Sequence, residues 1–139
     1  MELEKAKTLL LGSEYTCVLS CGERVLTSTR RGIAPLLEWL DANAVPPGFS
    51  AADKAVGKAP AAIYTLMGAK AVYANIMSSA AIEIFDRFGI EHECRAEVPM
   101  IKNRSQTDFC PVELAVNGFT EPQEVLEAAR KRLAEMNKE

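Results

Sequence analysis

SAADKAVGKA, Ser50 to Ala59, decides how the middle of this chain is read. Gly57-Lys58 is the most recognisable pair of a phosphate-binding loop, but such a loop needs G-x-x-x-x-G-K-[ST], with a hydroxyl available to magnesium. Ala52 stands five residues before Gly57 and Ala59 follows Lys58, so the pattern fails at two essential places. Walker-type hydrolysis is not supported. Read for structure, Ser50-x-x-Asp53 resembles a capping box, in which a hydroxyl accepts from an early amide and a carboxylate complements the positive helix end. The expectation is a helix from Ser50 to about Met67, with Lys54 and Lys58 four apart on one face. Like charges so placed cost about 0.2–0.5 kcal/mol unless an anion lies beside them. Gly57 inside that helix costs about 1 kcal/mol relative to Ala, and Pro60 is expected to kink it. Gly57 then serves either close packing against a strand or a ligand space beside Asp53, Lys54 and Lys58.

Upstream, Val45-Pro46-Pro47-Gly48 is the clearest loop in the chain. Before it, IAPLLEWLDA reads as a helix with Pro35 in its first turn and Trp39 in the core. Tyr15–Ser20 and Arg24–Ser28 are rich in strand formers, and the Cys21-Gly22-Glu23 between them reads as a hairpin turn with Gly22 at positive φ. Leu3, Ala6 and Leu10 mark a short first helix that Gly12 ends.

Downstream, Ala71–Asn75 reads as a buried strand, and Ser78 or Ser79 caps a helix through Phe88 that Gly89 stops. From His92 to Val98 one parity holds His92, Cys94, Ala96 and Val98, and the other is charged. That is a strand with one wet face, near a sheet edge. PMIKNRSQTDF starts as a strand or passes directly into a polar loop. Cys110-Pro111-Val112-Glu113 opens a short helix, and Thr120-Glu121-Pro122-Gln123 reads as a capping box before an amphipathic helix carrying Val125, Ala129, Leu133 and Met136.

The chain has 139 residues, of which 48% are hydrophobic and 25% charged, which fits a single domain over residues 1–139. A net charge of -3 gives no overall pull toward nucleic acid or an anionic membrane, so neither is expected as a partner. The N-terminus lacks the apolar core of a signal peptide. Cys17, Cys21, Cys94 and Cys110 show no C-x-x-C spacing and read as free thiols. The expected location is the cytoplasm. Hairpin, then alternating helix and strand, makes an α/β protein with a mixed sheet.

The pieces RGIAPLL at 31–37, ADKAVGKA at 52–59, NR at 103–104 and CPVE at 110–113 give the chain a resemblance, from about Leu3 to Leu133, to the DUF1893 or TM1506-like family. That resemblance implies a cytidine-deaminase-like three-layer sandwich: an antiparallel hairpin, then parallel strands, with helices on both faces. Zinc deaminases of that fold carry H-x-E or C-x-E at the start of the helix after the hairpin and P-C-x-x-C at the start of the next. The implied positions are Ala51–Lys54 and Ile76–Ala80, where no thiolate or imidazole stands and Ser78 and Ser79 replace cysteines. His92-x-Cys94, the one close His and Cys pair, falls short of the three ligands zinc needs. No metal or other cofactor is expected, and zinc-dependent deamination is not.

Three readings of function stay open. In the first, the fold implied by the resemblance turns two positive helix ends, near Ser50 and Ser78, into one cleft, and Ser50, Asp53, Lys54, Gly57, Lys58, Ser78, Ser79 and Arg104 bind a small anion such as a nucleotide or sugar phosphate. In the second, the chain is a metal-independent enzyme. Asp53 is then a general acid or base, or Cys110 a nucleophile favoured by the amides of its helix and opposed by Glu113. C-P-x-E also fits a plain cap with Cys in place of Ser, and no sequence pattern ties His92 to Cys110. In the third, the chain self-associates, as a homodimer, through a helix face or sheet edge. Arg31, Asn103 and Asp108 read ordinarily as solvated loop residues.

Overall fold

A computed structural model describes residues 2–102 and 108–138. Helix α1 (Glu2–Leu11) leads into the hairpin of β1 (Cys17–Cys21) and β2 (Arg24–Ser28). Gly22 takes φ 62° at its turn, a conformation that costs glycine little and other residues much. After α2 (Ala34–Asp41), with Pro35 in its first turn, come β3 (Ser50–Val56) and α3 (Lys58–Met67). Strand β4 (Ala71–Ser78), helix α4 (Ser79–Arg87), edge strand β5 (Glu91–Val98), α5 (Pro111–Val116) and α6 (Pro122–Asn137) complete the order.

The five strands form one sheet in the order β2-β1-β3-β4-β5. Strand β1 is antiparallel to both β2 and β3, while β3, β4 and β5 run parallel. On one face Ala6 and Leu10 of α1 pack with Val18, Ala52 and Tyr73. On the other, Leu19, Ala51 and Val72 meet Tyr64 of α3, Phe85 of α4 and Val125 of α6. The result is an α/β three-layer arrangement with helices on both faces of a mixed sheet.

The opening stretch is where structure and expectation part. Ser50 caps no helix: it begins β3 and pairs with Ser20 and Ala71 on either side. Ala51 and Ala52 are fully buried, one beneath each helical layer. Two flanking strands and burial on both faces outweigh the weak strand preference of Ala, Asp and Lys. The helix starts eight residues later, with Gly57 at its cap position and Pro60 as its third residue. Pro60 therefore lies in the first turn, where its missing amide breaks no intrahelical bond, and the expected kink has no cause. Lys54 and Lys58 lie on different elements and share no helix face.

Two other local expectations are corrected. Helix α6 is preceded by Glu121 at the cap position, with Pro122 as its first residue and no side-chain cap, so Thr120 and Gln123 form no capping box. Trp39 is half-buried at the margin of the core. Ser78, in contrast, accepts a hydrogen bond from the Ala81 amide at 3.1 Å and caps α4 as expected. Near residue 99 the described residues make an isolated antiparallel bridge, Lys102 to Phe109, and no further strand; Asn103 and Arg104 lie outside the described residues. Among the described residues no helix is long and apolar enough to cross a membrane.

Candidate functional site

The strand register lays Ser28, Cys17, Asp53, Ala74 and Cys94 in one row across all five strands. Laterally paired residues share a sheet face, and helix α3 covers the middle of this row. Its Tyr64 hydroxyl donates to Asp53 Oδ2 at 2.8 Å and lies 3.0 Å from Cys17 Sγ. A phenol has one proton to give; with that proton on Asp53, the phenol oxygen accepts from the Cys17 S–H. The order of donation is thiol to phenol to carboxylate.

Burial pushes the Asp53 carboxyl up from 3.8 to about 6, against the opposing pull of hydrogen bonds from Tyr64 and from the Lys54 and Ala55 amides. Burial, and then the Asp53 charge, push both Cys17 and Tyr64 well above their ordinary values. Cys17 is thus held as a neutral thiol, a donor and not a nucleophile. Cys17 and Tyr64 are buried, whereas Asp53 keeps part of its surface exposed. Of the three residues, Asp53 alone is not fully enclosed.

A second polar cluster explains Gly57-Lys58. The Lys58 amide donates to Glu113 Oε1 at 2.6 Å and the Ala59 amide to Oε2 at 3.0 Å. Glu113, from α5, thereby satisfies the free amides at the start of α3 and places its charge at the positive helix end. Gly57 has an extended backbone, φ -96° and ψ -167°, that any residue could adopt. Its lack of a side chain is explained by space, because a Cβ there would overlap the Glu113 carboxyl group. Lys58 Nζ returns the contact, donating to the carbonyls of Asn117 at 3.0 Å, Phe119 at 2.8 Å and, at longer range, Val116 at 3.4 Å. A cation thus meets the carbonyls left open at the end of α5. Burial pushes the Glu113 carboxyl up, and the two amides and Lys58 hold it back.

At the start of α4, Ser79 Oγ donates to Glu97 Oε2 at 2.9 Å and approaches the Val98 carbonyl at 3.4 Å. A carboxylate of the chain itself therefore stands at the beginning of each of these two helices.

The structure separates several residues that the sequence placed together. Lys54 follows Asp53 in a strand, so its exposed side chain leaves from the opposite face. Ser50 is buried within the sheet, and Lys58 is occupied on α5. Arg104 is outside the described residues. Cys110 holds the cap position of α5, but its thiol caps no amide, so Cys does not take the part of Ser there. The Glu113 carboxylate is directed to α3 and away from the cap role that C-P-x-E suggested. His92 bonds Asp86 at 2.7 Å and stacks on Phe85. The segment Ala51–Lys54 lies inside β3, and the helix after the hairpin is α2, so the position that the resemblance implied for a zinc-binding motif is not a helix start. Among the described residues no three of His, Cys, Asp and Glu are grouped so as to hold a metal ion.

Sequence reasoning singled out Asp53 but not the residues that hold it. Tyr64 lies 11 residues from Asp53 and 47 from Cys17. No local pattern connects them, because the sheet register and the path of α3 bring them together. The partner of Gly57 had a signal: C-P-V-E and G-K each had an unexplained charge of opposite sign.

The model of a family described as a domain of unknown function, DUF1893 (TM1506), matches residues 5–133. The structure is similar to the crystal structure of a DUF1893 family protein (TM1506) from Thermotoga maritima, with a TM-score of 0.86 and 21% identity. That similarity covers 94% of this chain and 89% of the other, and at this identity it shows a shared fold. Among curated proteins none matches.

Proposed function

The chain belongs to the DUF1893 family, which brings a fold and no assigned reaction, and we propose that it binds a small polar metabolite at Asp53. The observation that carries this reading is a carboxylate on a half-buried residue in the middle of the sheet, held by the Tyr64 hydroxyl, which Cys17 holds in turn. Such a group accepts a hydrogen bond from a ligand hydroxyl or amino group at a fixed angle. A nucleotide or sugar phosphate fits through its hydroxyls more readily than through its phosphate. The amides at the start of α3 are already taken by Glu113, and neither Lys54 nor Lys58 points to Asp53's side with a free charge.

A second reading is supported by the position of the Asp53 carboxyl at about 6. A group that changes protonation near neutral pH is suited to general acid or base work, and Asp53 is then the proton-transfer residue of a metal-independent enzyme. Cys110 has no comparable support. A cytoplasmic location goes with either reading.

The test is a panel of nucleosides, nucleotides and sugar phosphates, scored by thermal shift against the native chain and Asp53→Asn. Stabilisation by one chemical class, lost in Asp53→Asn while the variant keeps its own cooperative melt, is the expected result. No stabilisation by any member, or equal stabilisation of both proteins, overturns the reading. Conversion of the stabilising compound, followed by mass spectrometry, separates enzyme from binder.

A further inference from the structure

Cys17 is the buried titratable group to which neither reading of Asp53 gives a part. It faces Asp53 across the β1–β3 register, yet its sulfur lies 3.0 Å from the Tyr64 hydroxyl oxygen, which is itself 2.8 Å from Asp53 Oδ2. The phenol has one proton, and the charged carboxylate takes it in preference to sulfur, a weak acceptor. The phenol oxygen is left to accept, and the thiol proton is the donor placed to fill it. Among the described residues Asp53 forms no ion pair. The groups that face it are Cys17 from β1 and Tyr64 from α3; Ala74, beside it on β4, does not titrate, and Lys54 leaves from the face on which α1 packs. Neutral donors alone therefore hold the carboxylate: the phenol and the Lys54 and Ala55 amides. A carboxylate so held responds to the strength of each donor, and in a low-dielectric interior hydrogen bonds in series strengthen one another.

We propose that Cys17 is a positioning residue for Asp53, acting through Tyr64: its S–H fixes the direction of the phenol hydroxyl and makes that hydroxyl a stronger donor to the carboxylate. The thiol thereby sets how firmly Asp53 holds its charge, and with it the pH at which Asp53 passes from acceptor to acid. Without the thiol the buried phenol oxygen has no donor, and its proton is shared less strongly. Because the effect passes through one hydroxyl, it disappears with that hydroxyl; an effect of Cys17 through the packing of β1 against α3 does not. This role deepens, and rests on, the reading of Asp53 as the binding or proton-transferring group.

NMR titration of the Asp53 carboxyl carbon in the full chain, with no ligand present, tests it. The native midpoint is expected at about 6. Cys17→Ala is expected to raise it by about half a pH unit, the shift that a modest change in one hydrogen bond produces. Cys17→Ser, close in size and a donor again, should return the midpoint to the native value or below. In Tyr64→Phe, where the midpoint is already raised, adding Cys17→Ala should move it no further. A midpoint indifferent to Cys17→Ala, a serine that fails to restore it, or an equal shift in the Tyr64→Phe background overturns the proposal. These outcomes are independent of the ligand panel: a silent panel overturns binding at Asp53, whereas an unmoved midpoint overturns only the role of Cys17.

Discussion

Gly57 and Glu113, on different elements, share one volume: the glycine has no side chain where the glutamate places its carboxylate. Gly57→Ala is expected to push that carboxylate off the Lys58 and Ala59 amides. The buried groups left without partners destabilise the fold by roughly 2–4 kcal/mol. Urea denaturation of the two proteins checks it. A loss under half a kcal/mol would show that α5 shifts without cost.

Lys58→Met and Glu113→Ala each release α5 from α3, from opposite ends. Each is expected to cost roughly 1–3 kcal/mol, through the lost charge-assisted bonds of Lys58 or through the unpaired amides. Because either change loosens the same contact, the double variant should cost clearly less than the sum. Strict additivity in a double-mutant cycle would mean that the two ends act independently.

Stability should depend on pH through Asp53. Its carboxyl lies at about 6 in the fold against an ordinary 3.8, so the folded state binds a proton that the unfolded state releases. The contribution is complete below about pH 4 and is lost as pH rises through about 6, amounting to roughly 2–3 kcal/mol. Glu113, also pushed up by burial, acts in the same direction. Asp41 and Glu2, held below their ordinary value by Arg130 and Ser20 respectively, act oppositely at the exposed surface. Asp53→Asn keeps an acceptor for Tyr64 and should flatten most of the fall between about pH 4 and 6, as read by denaturation at a series of pH values. An unchanged slope would place the raised titration elsewhere.

Tyr64→Phe removes the donor that stabilises the Asp53 carboxylate. The expected loss is about 1–2 kcal/mol at pH 8 and smaller at pH 4.5, where Asp53 is protonated. Equal losses at both values would mean that the hydroxyl serves only packing.

Thiol labelling should divide the cysteines. Cys17, buried and held as a thiol, is expected to react only on global unfolding, so its rate reports stability. Cys94 is slowed by desolvation and by the Glu97 and Glu93 charges. Peptide mass spectrometry after timed alkylation resolves the four. Rapid modification of Cys17 in the folded chain would contradict its placement beneath Tyr64.

The hairpin, the Ser78 cap and the alternating edge strand β5 were legible because each is written in neighbouring residues: Gly22, Ser78 before an apolar run, Glu91 to Val98. Strand β3 was not. Ser50 and Asp53 imitate a capping box, and Ala is a better helix former than strand former. Its strand state comes from β1 and β4 on either side, which SAADKAV does not contain. Gly57 directly before Lys58, with Pro60 close behind, is the spacing of a helix start and was the available sign of the boundary. Asp53 was singled out as the carboxylate of an apparent capping box, but Tyr64 and Cys17 became its partners only through the fold. The anion that Gly57-Lys58 suggested was in the chain all along, at Glu113.

The clasp between α3 and α5 also sets an order of events during synthesis. Lys58 finds its last carbonyl at Phe119, 61 residues further on. At about 5–20 residues per second, the ribosome needs roughly 3–12 s to supply it. Through that interval the nascent β3–α3 unit has an uncapped helix start and a lysine with no carbonyls to hold. Chains that stall before Glu113 therefore offer chaperones and proteases a helix start that the finished chain closes.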